Sequence, residues 1–98
     1  MQTKLVNNHD SMRLDVYADG DKKTFVRFTL GRTRTGMTMQ GNVGLQNAVV
    51  QMLFKQYDAF LQAKGKGNNG EKFAEIQKRC EAAENFKQVA LIFAKETA

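Results

Sequence analysis

The residues best suited to chemistry in this chain are arginines, and they cluster. Four of the five (Arg13, Arg27, Arg32 and Arg34) occur within the first 34 residues, and no aspartate or glutamate falls between Asp21 and Asp58. Lys22, Lys23 and Lys55 lie in the same acid-free stretch. A guanidinium presents a planar fork of donors that matches a phosphate or a base edge better than an ammonium does. A basic, acid-free stretch of this length points to a polyanion as partner.

Catalysis has far less to work with. His9 is the only histidine and has no base, nucleophile or metal partner nearby in the sequence. Cys80, the only cysteine, falls between Ile76 and Ala83 at a helical core spacing, where a free thiol behaves as a small hydrophobe. It lacks the histidine a cysteine nucleophile needs, and one cysteine makes neither an internal disulfide nor a Cys-cluster zinc site. Asp58, Glu71, Glu75, Glu81 and Glu84 are interspersed with Lys72, Lys78, Arg79 and Lys87, and the Glu75–Arg79 spacing of four reads as a solvated helix face. The run from Lys64 to Gly70 could offer backbone amides to an anion at a helix start. It joins two helical segments and lacks the Gly-Lys-Ser/Thr ending, so it is read as a connector. No enzyme, cofactor or metal site is expected.

The arginines must be positioned by strands. Residues 1–11 carry Asn7, Asn8, His9, Asp10 and Ser11 with little periodicity, and read as a flexible arm preceding a single domain over 12–98. Met12, Leu14, Val16 and Ala18 alternate with Arg13, Asp15, Tyr17 and Asp19, which is the pattern of a half-buried strand. Asp19-Gly20-Asp21-Lys22 is a turn signal, and Thr24 to Leu30 alternates again. A three-residue loop at 20–22 keeps apolar side chains together, pairing Val16 with Val26 and Leu14 with Phe28. The opposite face then sets Tyr17 against Phe25 and Asp15 against Arg27. A further turn through the arginine-bearing segment Gly31–Gly36 brings Leu30 to Met37 and Phe28 to Met39. The expected fold is α+β: an antiparallel hairpin or three-stranded meander followed by two long helices, the second with a bend near Asn85.

The first helix, 43–63, is apolar on two faces: Leu45, Val49, Met52, Leu53 and Phe60 on one, Val50, Phe54, Tyr57 and Leu61 on the other. With Phe86, Val89, Ile92 and Phe93 this offers more apolar surface than three strands can cover, so a homodimer through the helices is expected. No apolar run approaches the roughly 18 residues of a membrane span, and the single thiol suits the cytoplasm.

Fifteen lysines and arginines against ten acids give a net charge of +5. The expected function is a small basic nucleic-acid-binding accessory or regulatory protein. Its interface would be Arg13, Tyr17, Lys22, Lys23, Phe25 and Arg27 of the ribbon with Arg32 and Arg34 of the loop. Aromatics beside arginines on a sheet can stack bases and hold phosphates, and a two-stranded ribbon fits a major groove. The alternatives are that Tyr17 and Phe25 merely pair beneath a helix or subunit, or that the ribbon edge or an apolar helix face holds an acidic protein.

Overall fold

The computed structural model describes residues 1–8, 11–31, 35–41, 47–64 and 69–97. Four strands are followed by three helices: β1 (Gln2–Asn7), β2 (Ser11–Ala18), β3 (Asp21–Gly31), β4 (Gly36–Gln40), α1 (Asn47–Lys64), α2 (Asn69–Ala82) and α3 (Phe86–Thr97). The strands form one antiparallel sheet in the order β1-β2-β3-β4. The architecture is α+β, with one more strand and one more helix than the sequence pattern suggested.

Alternation along the strands decides which face is covered. Leu14 and Val16 of β2 stand beside Phe28 and Val26 of β3, and all four are fully buried. Leu5 on β1 and Met37 and Met39 on β4 extend this apolar face to both edges. The helices lie on it: α2 packs against β1 and β2, α1 reaches β4, and α3 packs against both other helices. Phe93 of α3 meets Phe28 with ring centroids 4.6 Å apart, Tyr57 at 5.3 Å and Phe60 at 5.4 Å. Buried aromatic pairs at these separations stabilise beyond their area alone. The Tyr57 hydroxyl donates to the Thr29 carbonyl at 2.8 Å, so its polar tip is satisfied inside the core.

Several expectations are corrected. Residues 2–7, read as part of an arm, are strand β1, paired through all six residues with β2. Leu5 is its one large apolar side chain on the core face, opposite Leu14, which is too little to show periodicity. The β2–β3 register is as expected from Met12↔Leu30 to Tyr17↔Phe25, but the turn is tighter. Ala18 pairs with Asp21 around Asp19-Gly20, and the surplus residues bulge. The Asp21 carboxylate accepts the Lys23 amide at 2.9 Å and the Thr24 hydroxyl at 2.8 Å, which fixes the bulge. Both bonds favour the ionised form and hold this carboxyl below its ordinary range. β4 pairs with β3 two residues from the expected place, with Phe28 opposite Met37 and Val26 opposite Met39. A two-residue slide keeps every side chain on its face, so the apolar pattern does not distinguish the two registers.

The expected bend near Asn85 is a full break. The Asn85 side chain accepts the Gln88 amide at 3.0 Å as the N-cap of α3, and Gln88 reaches back to the Glu84 amide at 2.7 Å. The Met1 amine donates to the carbonyls of Glu81 and Ala83 at 3.1 and 2.8 Å, satisfying acceptors at the end of α2. Tyr57, Val89 and Phe93, which were counted toward a dimer surface, are buried within the chain. Of the large apolar side chains among the described residues, Phe54 and Leu91 remain exposed, at 46% each.

Gly41 follows β4 with φ at +80°, and a Cβ there would lie 2.6 Å from the Lys23 carbonyl oxygen and 2.7 Å from the Thr24 Cα. Gly20 also has positive φ (+75°) but faces open space. Gly41→Ala should therefore destabilise by more than about 1 kcal/mol in urea unfolding, and by more than Gly20→Ala, because it adds a backbone collision to the conformational strain. Equal losses would contradict the packing described.

Candidate functional site

The second face of the sheet has no helix against it among the described residues. Register places its side chains in three rows across the strands. One row is Gln2, Tyr17, Phe25 and Gln40; the next is Lys4, Asp15, Arg27 and Thr38; the third is Val6, Arg13, Thr29 and Gly36. The four expected interface residues Arg13, Tyr17, Phe25 and Arg27 thus share one surface.

Asp15 organises it. Its carboxylate is fully buried although the face is open, because the neighbouring side chains close over it. Arg27 grips it with both teeth of its fork, Nε to Oδ1 at 2.9 Å and Nη2 to Oδ2 at 3.4 Å. Arg13 Nε approaches Oδ2 from the other side at 3.4 Å, and the Tyr17 hydroxyl donates to Oδ2 at 3.5 Å. Both arginines keep about a third of their side-chain surface in solvent, 31% for Arg13 and 35% for Arg27. The buried Nε of Arg13 has only this ion-pair contact and no hydrogen-bond partner among the described residues.

The acid-free character of the segment is therefore modified across the strand: one carboxylate opposes two guanidiniums. With Lys4 exposed in the same row, cations still outnumber acids three to one on this face. Tyr17 and Phe25 form a tilted pair with centroids 5.2 Å apart, half-buried on the uncovered face instead of lying beneath a helix. The Arg27 guanidinium stands 5.4 Å from the centre of the Phe25 ring, within cation–π range.

A polar depression of about 550 Å³ runs from the second and third rows toward the end of the sheet, lined by Asn8, Ser11, Arg13, Arg27, Thr29 and Thr38 among others. Gly31 and Thr35, which flank the segment carrying Arg32 and Arg34, also line it. The Thr35 hydroxyl donates to the Gly31 carbonyl at 3.0 Å, joining the residues on either side of that segment. Arg32 and Arg34 themselves lie outside the described residues, as does His9.

Lys22 and Lys23 are exposed at the start of β3, five and four residues from Arg27 and so roughly 13–17 Å along the strand, on the other side of the aromatic row from Arg13 and Arg27. Lys4, Ser11, Thr29 and Thr38 were missed. Lys4 required β1, and Thr38 stands beside Arg27 only in the register that slides β4 by two.

The helical charges are occupied elsewhere. Arg79 pairs with Glu96 of α3, not with Glu75 as the spacing of four suggested, and Lys72 bridges Glu96 at 3.6 Å and Glu75 at 3.4 Å. Cys80 is fully buried, and burial pushes its thiol up to about 12. The described residues hold no group of three or more His, Cys, Asp or Glu placed to bind a metal, and no helix among them is long and apolar enough to cross a membrane. No protein-family model, curated protein or solved structure matches the chain.

Two outcomes follow from these contacts. Asp15→Asn replaces the shared carboxylate with an amide and leaves two cations facing each other, at a cost of about 2 kcal/mol once the arginines' exposure is allowed for. Lys4→Gln in the same row should cost less than about 0.5 kcal/mol in the same urea titration. Cys80 should resist an aromatic disulfide reagent at neutral pH and react only as fast as the protein opens. Because its folded pKa is raised, it contributes stability at neutral pH that is lost as pH rises from about 9 toward 12. Alkaline urea titrations of Cys80→Ala should show a shallower loss.

Proposed function

We propose that this protein is a small basic nucleic-acid-binding accessory or regulatory protein, and that it binds on the uncovered face of its sheet. Arg27, Arg13 and Lys4, with Arg32 and Arg34 of the adjoining loop, contact phosphates, and Tyr17 and Phe25 meet bases. The observation that carries this reading is the composition of the face. Two guanidiniums anchored on one buried carboxylate lie to one side of a half-buried aromatic pair, with an amide- and hydroxyl-lined depression beside them. Phosphate contacts supply affinity and aromatic surfaces supply tolerant stacking, which is the division of labour found in nucleic-acid platforms.

A second reading uses the helical layer. Leu91 borders an apolar groove with Ala83 and Ile92 whose rim carries Arg79 and Lys95. That chemistry suits an acidic protein segment, and a homodimer would have to use the same layer. The sheet face is preferred because its cations and aromatics adjoin one another, whereas Arg79 and Lys95 border an aliphatic groove with no aromatic ring in its lining.

Titration of labelled oligonucleotides in 50 and 200 mM salt tests the proposal. Affinity should fall linearly on a log–log plot, with a slope of about −0.7 to −0.9 per phosphate neutralised. The double substitution Arg32→Ala and Arg34→Ala should weaken binding about tenfold or more and flatten that slope by about one to two, since each lost phosphate contact removes its own released counterion. Absence of salt-sensitive binding would overturn the proposal.

A further inference from the structure

We infer that the uncovered face takes unpaired rather than duplex nucleic acid, an inference that rests on the function just proposed. The first reason is width. A helix or a two-stranded ribbon enters a major groove about 12 Å across. Here the hairpin of β2 and β3 is hydrogen-bonded on both sides, to β1 and to β4. Three strand gaps of about 4.8 Å set the outer backbones about 14 Å apart before any side chain is added. The face is too broad to enter that groove.

The second reason is where the aromatics stand. Tyr17 and Phe25 occupy the two inner strands, with Gln2 and Gln40 at either end of their row. A duplex laid on this surface would meet the outer strands with its backbones, while its bases stayed stacked on each other. A single strand can turn a base down onto the rings, which is how sheet platforms engage unpaired nucleotides.

The third reason is the order of the rows. Arg27 lies about 7 Å and Arg13 about 14 Å along the strands from the aromatic row. A strand following β2 and β3 with one base on Tyr17 and Phe25 therefore carries its backbone over Arg27, then Arg13, along the depression that these two line with Ser11, Thr29 and Thr38. The path is polar, and its one carboxylate, Asp15, is buried beneath the two guanidiniums.

The test compares a 20-nucleotide oligothymidylate with the same strand annealed to its complement, by fluorescence anisotropy at one salt concentration. The single strand should bind at least about tenfold more tightly, and Phe25→Ala should weaken it by about tenfold while leaving duplex binding within about threefold. A second readout needs no substitution at the rings' core contacts. The chain has two tyrosines and no tryptophan, and Tyr57 is buried, so quenching of tyrosine emission by the single strand reports on Tyr17. Tyr17→Phe should abolish the quenching with affinity little changed. Equal or tighter duplex binding, or single-strand binding without quenching, would overturn this inference and leave the proposed function standing. Salt-insensitive binding, or none, to both probes would overturn the function itself.

Discussion

Asp15 has no exposed surface, although it belongs to the side of the sheet that no described helix covers. What covers it are the side chains of Arg13, Arg27 and Tyr17, drawn in by its two oxygens. An ion pair between fully solvated side chains contributes little, because water competes for both charges and two long chains must be ordered. Here the carboxylate is already out of water, so leaving it without a partner would be far worse than the pair is good. That asymmetry pins the two guanidiniums in place and lays their aliphatic stems over the sheet. The same contact places Arg27 beside the Phe25 ring. Donors of both arginines remain on their exposed portions, because a guanidinium has five and one carboxylate cannot occupy ten. The face is thereby ordered and still cationic.

How much of this was legible depended on which degree of freedom each residue controls. The central hairpin was readable because two strands with four buried side chains, Leu14, Val16, Val26 and Phe28, match in only one way within a short turn. The pairing of Asp15 with Arg27, and of Tyr17 with Phe25, followed from it. β4 was readable in which face its methionines point to, and unreadable in position, since a slide of two residues preserves that face. In the position adopted, Thr29 stands opposite Gly36, and the Thr35 hydroxyl donates to the Gly31 carbonyl. β1 was hidden because its apolar content on the core face is essentially Leu5. The break before α3 has a local signal in the sequence: Asn85 followed three residues later by Gln88 is a capping pattern, and both side chains are used at that end.

The charges tell a similar story about sequence density and spatial density. Lys22 and Lys23 adjoin the arginines in the chain but sit at the far end of an 11-residue strand. Lys4, distant in the chain, stands in the Asp15–Arg27 row. Arg79 had a carboxylate four residues earlier on its own helix, yet it pairs with Glu96 on another, where burial makes the contact stronger than an exposed pair along one helix.

A sheet of this kind does not need such a face. An antiparallel sheet covered on one side tolerates threonine, lysine and glutamate on the other, and these are cheap to leave in water. The present face instead keeps two aromatic rings half in solvent and buries a carboxylate beneath arginines, both of which cost solvation. The edges show the opposite economy. β4 is only five residues long, and β1 presents Gln2, Lys4 and Asn7 to water, features that discourage another strand from adding to the sheet. With the edges made unattractive and the helical side filled by Phe28, Tyr57, Phe60, Phe73 and Phe93, the uncovered face is where half-buried aromatic rings stand beside guanidiniums. A partner that supplies phosphate to the arginines and a flat ring to the aromatics would recover the solvation cost of both groups in one contact.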